Sequence, residues 1–163
     1  MPTNITPNLW FDHGQAEQAA EFYCSVFKNS RVLSQSHYPE NSPGPAGEVM
    51  TVEFELDGNR FVGINGGPLF KFSEAISLQI DCEDQDEVDY YWDKLTADGG
   101  EESQCGWLKD KFGLSWQVVP RGMDEVFSDP DKSRAERAMQ AMLKMRKLDV
   151  EALRRAADGE PVG

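Results

Sequence analysis

Histidine, cysteine and positive charge are all scarce in this 163-residue chain, and each scarcity removes a class of function. There are 2 His and 3 Cys. Cys24, Cys82 and Cys105 are odd in number and form no CxxC pair, which argues against a disulfide scaffold or a zinc knuckle and leads us to expect a reducing cytoplasm. Lys and Arg number 16 against 29 Asp and Glu, a net charge of −13. Such a surface repels phosphate backbones and anionic lipid, so neither nucleic acid nor a membrane is expected as a partner. No apolar stretch approaches the roughly 20 residues that a membrane-crossing helix needs. The opening MPTNITPNLWFD has no basic region followed by an apolar run, so no secretion signal is expected.

What is present is material for a core. Hydrophobic residues make up 39% of the chain, with 4 Trp and 9 Phe, which excludes a disordered chain and suits one domain or two small fused modules. Ile5 to Asp12 reads as a strand with Thr6, Asn8 and Trp10 on one face and Ile5, Leu9 and Phe11 on the other. Pro7 lacks a donor and confines that strand to an edge or bulge. Gln15 to Phe27 carries Ala16, Ala19, Ala20, Tyr23, Val26 and Phe27 at helical spacing. Arg31–Tyr38 and Glu48–Leu56 read as strands around PENSPGPAG (39–47), a loop long enough for a lid or a plain exposed connection. Asp57-Gly58 is a hairpin signal leading into Asn59–Asn65. Glu53 and Glu55 are expected to pair with Arg60 across that hairpin. Gly66 to Phe72 reads as a linker.

The pattern then repeats. Ile76–Cys82 is a strand with Ser77, Gln79 and Asp81 on one side, and Asp84–Ala97 a helix with Val88, Tyr91, Trp92 and Leu95 at i, i+3, i+4 and i+7. Glu101–Gln104 is a weak strand. CGWLKDKFGLSWQVVP (105–120) is a hairpin: Trp107 and Leu108 in one arm, Asp110 to Gly113 in the turn, and Leu114, Trp116 and Val118 alternating with Ser115, Gln117 and Val119 in the other. Lys109, Asp110 and Lys111 read as solvated turn charges. Strand, helix and about three strands thus occur twice. Beyond Pro120 the character changes. Asp131–Leu148 has Ala135, Ala138, Met139, Met142 and Met145 at helical spacing, a surface for core or dimer packing or for a partner, and Asp149–Ala157 reads as one more short helix.

ITPNLWFD (5–12), AAEFYCSVF (19–27), INGGP (64–68), FKFSEAISLQIDCEDQDEVDYYWDKL (70–95) and CGWLKDKFGLSWQ (105–117) resemble the PhnB-like branch of the vicinal-oxygen-chelate superfamily, a branch labelled 3-demethylubiquinone-9 3-methyltransferase. The resemblance covers about Ile5 to Pro120 and reaches into AMLKMRKLD (141–149). It implies an α+β fold of paired β-α-β-β-β modules (5–65 and 76–119) forming a cupped mixed sheet, as in the glyoxalases, with a helical extension over 121–163, and a homodimer. Metal enzymes of the superfamily place their ligands at positions that fall here on Thr6, Ser77, Gln117 and near Asn65. Hydroxyls and amides are poor ligands for a divalent metal, so no metal site and no cofactor are expected.

If the modules pair in that way, Thr6, Asn8, Trp10, Asn65, Ser77, Gln79, Trp107, Ser115 and Gln117 form a pocket for a small organic molecule; otherwise these faces are solvated or form a seam between subunits. His37 with Tyr38, beside the Pro/Gly loop, is a candidate acid–base pair, and Glu53 a second titratable candidate. Cys105 follows Glu101 and Glu102, a negative neighbourhood that dulls a thiol, and Cys24 reads as buried. No strand–Gly-rich turn–helix unit of the kind that holds a nucleotide-like methyl donor is present, which counts against methyl transfer. The expectation is a protein that binds a small metabolite in a metal-poor cup, with a glyoxalase- or dioxygenase-like metalloenzyme as the alternative.

Overall fold

The computed structural model describes residues 3–160, which form two compact units, one ending at Phe72 and the other beginning at Ser73. The first contains β1 (Asn8–Phe11), α1 (Ala16–Val26), β2 (Arg31–His37), β3 (Val49–Leu56) and β4 (Asn59–Asn65). Its sheet has the order β1-β4-β3-β2, with β1 parallel to β4 and the other pairs antiparallel. β1 is therefore an edge strand, as Pro7 requires, although pairing starts later than the alternation suggests and Ile5 is 90% exposed. The predicted stripe of α1 is buried from Ala16 to Val26 and lies over Val52, Phe54 and Leu56 of β3. Tyr23 stacks on Phe54 at 6.1 Å, and Phe54 on Phe61 at 5.6 Å. Asp57 and Gly58 both take positive φ, the conformation that a two-residue turn between twisted strands demands.

The second unit repeats the plan: β5 (Leu78–Cys82), α2 (Gln85–Thr96), β6 (Glu101–Glu102), β7 (Trp107–Lys109) and β8 (Ser115–Pro120), in sheet order β5-β8-β7-β6 with β5 parallel to β8. Val88, Tyr91, Trp92 and Leu95 are all buried. Asp84 caps α2 by accepting the Glu87 N–H at 2.9 Å, and Glu87 returns to accept the Glu83 N–H at 2.8 Å.

Three helices follow, α3 (Met123–Phe127), α4 (Lys132–Met142) and α5 (Val150–Ala157). The Met-bearing helix stops at Met142 instead of running to Leu148, and the segment after it straps the second sheet. Met145 and Arg146 accept the N–H groups of Cys105 and Gly106. Gln85 donates to the Leu148 carbonyl and accepts the Val150 N–H, both at 2.9 Å. Gly106, at positive φ, lies so close to Leu148 that a Cβ there would stand 2.9 Å from Leu148 Cδ1. Leu148 then joins Met123 and Leu153 in a small core, with Met142 and Met145 packed against it.

The hairpin turn corrects one sequence expectation. Asp110 is not a solvated turn charge; it is 2% exposed. One carboxylate oxygen accepts the N–H groups of Phe112 (2.9 Å) and Leu114 (3.1 Å), and the other the indole N–H of Trp116 (2.9 Å). A buried carboxylate survives only when its lone pairs are taken in this way. Asp110→Ala is expected to lower unfolding free energy by about 3 kcal/mol, because three donors lose their acceptor; a urea melt with a midpoint unchanged from wild type would refute this.

Candidate functional site

At one end of the first sheet, the last residues of β1, β2 and β4 and the first of β3 surround a cleft of about 930 Å³. The loop between β2 and β3 and the turns after β1 and β4 complete its walls. Two aromatic rings line it, and both are held by the backbone. The Trp10 indole N–H donates to the Gly67 carbonyl at 2.9 Å, and Phe70 meets the ring edge-on at 4.9 Å. The Tyr38 hydroxyl donates to the Asn65 carbonyl. Glycines make room for both: a Cβ at Gly66 would overlap the Trp10 indole, and one at Gly44 the Tyr38 ring. The base of the 39–47 loop is zipped by Tyr38 N–H to Glu48 O at 2.8 Å and Gly47 N–H to Tyr38 O at 2.9 Å.

Asn65 ties this end together. Its Oδ1 accepts the Ala16 N–H at 2.8 Å, and its Nδ2 donates to the Val49 carbonyl at 3.0 Å. The amide expected to meet a ligand is thus spent on α1 and β3. Trp10 and His37 line the cleft as candidate site residues, whereas Thr6 and Asn8 do not: the Asn8 amide turns back to the Thr6 carbonyl at 3.0 Å. Glu53 is also absent from the lining; its carboxylate pairs with Arg60 at 2.9 Å, while Glu55 takes Arg31 at 3.3 Å. Both histidines of the chain line the cleft, since His13 lies beside Asp12 at 3.4 Å. Asp12, His13, Glu17 and Glu48 were not singled out from sequence; what marks them is only their place beside the breaks that end β1 and begin β3.

In the second unit the polar residues share the open face of β5, β7 and β8. Gln117 faces Trp107 and Gln79 in register and donates to the Ser77 hydroxyl at 2.9 Å. Gln79 donates to Asp81 at 2.7 Å. Ser115 is 1% exposed, and its hydroxyl has no hydrogen-bond partner among the described residues. Cys82 is fully buried; burial first, then the carboxylates of Glu87, Asp81 and Asp84, push its thiol up to about 12. Cys24 is raised by burial as well.

A divalent metal does not fit the donors at the positions that the resemblance marks. Asn65 is engaged at both ends of its amide, Ser77 and Gln117 bond to each other, and none of Thr6, Asn65, Ser77 or Gln117 offers imidazole, thiolate or carboxylate. Among the described residues, no three His, Cys, Asp or Glu side chains gather as a metal site would require.

Two β-α-β-β-β units, each closing its first strand in parallel against its last, define a protein of the vicinal-oxygen-chelate superfamily. Within it, the chain belongs to the 3-demethylubiquinone-9 3-methyltransferase family, whose model matches residues 3–119. The PhnB protein of Bacillus cereus, which carries that methyltransferase name, is 37% identical over 72% of this chain and 99% of its own, with a TM-score of 0.65. Protein PA1353 of Pseudomonas aeruginosa is 18% identical over 73% of this chain and 98% of its own, at a TM-score of 0.61. The fosfomycin resistance protein FosX of Listeria monocytogenes, solved with Mn(II) and sulfate, is 14% identical over 78% and 96%, at 0.54. The last two likenesses extend to the fold alone. No functionally curated protein matches the chain.

Two outcomes follow from this geometry. Gly66→Ala is expected to push the indole of Trp10 off Gly67 and weaken any ligand of the cleft by about tenfold or more, through misplacement of one wall; an unchanged affinity would show that Trp10 is no part of the site. Because the Cys82 thiol ionises only near pH 12, iodoacetamide at pH 8 is expected to leave it unmodified until the protein unfolds, as peptide mass mapping would record.

Proposed function

We propose that this protein binds a small organic molecule in the cleft of its first unit, between Trp10, Tyr38 and the Pro/Gly loop over 39–47, without a metal. The observation that carries the reading is the pair of backbone-anchored aromatic rings with glycine cut away beneath each. A volume of about 930 Å³ lies in the range of small-molecule sites, and an apolar wall with a few polar groups is their usual make-up. Rings already locked in place lose little freedom when a ligand arrives.

Binding is favoured over turnover because the two candidate titratable groups are separated: His37 lines the cleft, while Glu53 is held by Arg60 outside its lining. The methyl transfer in the family's name has no donor-binding turn to support it in this chain. No described helix is long and apolar enough to cross a membrane. The family resemblance further supports a homodimer, which sedimentation of the purified protein would test, and the three free cysteines suit a reducing cytoplasm.

A thermal-shift screen of a metabolite library tests the function. A small set of compounds is expected to raise the melting temperature, and Trp10→Ala to abolish the shift while Gln79→Ala preserves it. Ni, Zn, Mn and Fe(II) alone are expected to produce none. Stoichiometric metal in the purified protein, or hits indifferent to both Trp10→Ala and His37→Ala, would overturn the reading.

A further inference from the structure

We propose that the ligand of this cleft is an organic cation, an amine or quaternary ammonium carried on a small apolar body; the inference rests on the binding function proposed above and narrows it. The cleft is lined by the carboxylates Asp12, Glu17 and Glu48 and by no Lys or Arg, in a chain that has 16 of them. Glu17 and Glu48 make no ion pair among the described residues, and the Asp12 carboxylate accepts the His13 backbone N–H at 2.7 Å and lies 3.4 Å from its exposed imidazole.

The hydrogen-bond donors that an anion would seek are spent inside the protein. The N-terminus of α1 opens towards the cleft, where its orphan N–H groups and positive dipole end would ordinarily favour an anion. Here the Ala16 N–H is taken by Asn65 Oδ1, and Glu17 places a carboxylate in the first turn. The indole N–H of Trp10 goes to Gly67, and the hydroxyl of Tyr38 to Asn65. With those polar handles engaged, the rings have only π surface and edges left to offer a ligand, and the electron-rich faces of Trp and Tyr attract cations. The Thr51 and Ser36 hydroxyls share one hydrogen bond, and the imidazoles of His13 and His37 also line the space. Three carboxylates and two aromatic rings beside few donors favour positive charge.

Three probes of nearly equal size separate charge from shape: benzylamine, benzyl alcohol and benzoate, titrated into the full chain by calorimetry or ligand-observed NMR at physiological salt. Benzylamine is expected to bind about tenfold more tightly than benzyl alcohol, a ratio within reach of one cation–π contact and one carboxylate, and benzoate most weakly. Glu17→Gln with Glu48→Gln should reduce that ratio several-fold, the remainder resting on Asp12 and the rings. The pair of substitutions moves the net charge only from −13 to −11, so a ratio left undiminished by it belongs to the overall charge and overturns the inference. Equal or tighter binding of benzyl alcohol or benzoate overturns it too, while the binding function stands if Trp10→Ala weakens those probes. If no probe binds and library hits sensitive to Trp10→Ala are neutral or anionic, the cation assignment alone fails; if the library yields no hit either, both fail.

Discussion

The first unit depends on one side-chain amide. Asn65, the last residue of β4, binds the start of α1 through Oδ1 and the start of β3 through Nδ2, while its own carbonyl receives the Tyr38 hydroxyl from the end of β2. Three segments far apart in sequence meet at a planar group that offers two donors and an acceptor in fixed directions, and a fourth joins them at the backbone of the same residue. No aliphatic residue could replace it, and Asp would present an oxygen to the Val49 carbonyl. The position matches one that resemblance to metal enzymes of the superfamily marks for a ligand. In this chain the polar atoms there have become scaffold, and the cleft is bounded by what that scaffold holds in place.

Comparison of the two units shows how much hangs on this choice. Both must satisfy the N–H groups at the start of a helix that follows a short edge strand. The second unit does so locally: Asp84 accepts the Glu87 N–H at the entry to α2, and the Glu87 carboxylate accepts the N–H of Glu83. The first has no side-chain cap of its own at Gln15 and borrows Asn65 from across the sheet. A local cap leaves the neighbouring strands free of the helix. A borrowed one binds helix entry to sheet end, and the open space between those two and the 39–47 loop is the cleft.

Much of the architecture is legible in the sequence because it rests on short-range physics. The stripe of Val88, Tyr91, Trp92 and Leu95 needs only the helical period, and Asp57-Gly58 needs only the steric freedom of its turn. Other features have no local signature. Asp110 looks like a surface charge until the N–H groups that converge on it are known. Asn65 acquires its partners from Ala16 and Val49, and nothing in INGGP names them. Polarity on a strand face marks Asn8 and Gln79 as ligand-binding candidates and Glu53 is a titratable one, yet each side chain engages a near neighbour, because a half-exposed polar group satisfies itself first with what lies within reach. Trp10, an aromatic in a polar strand face, and His37, a histidine beside a Pro/Gly loop, are candidates that line the first unit's cleft.

The strap over the second sheet has a consequence for the order in which this protein takes shape during synthesis. Every residue of the first unit has been synthesised once the chain has passed Phe72. Gln85 must wait for Leu148 and Val150, 63 and 65 residues later, and Gly106 for Arg146. The half that carries the cleft is thus free to fold while its sibling is still an open hairpin with an uncovered edge, a nascent state in which exposed apolar surface invites chaperones. A stop codon anywhere between Pro120 and Leu148 would leave the strand pattern of both units intact on paper and the second one without its clasp.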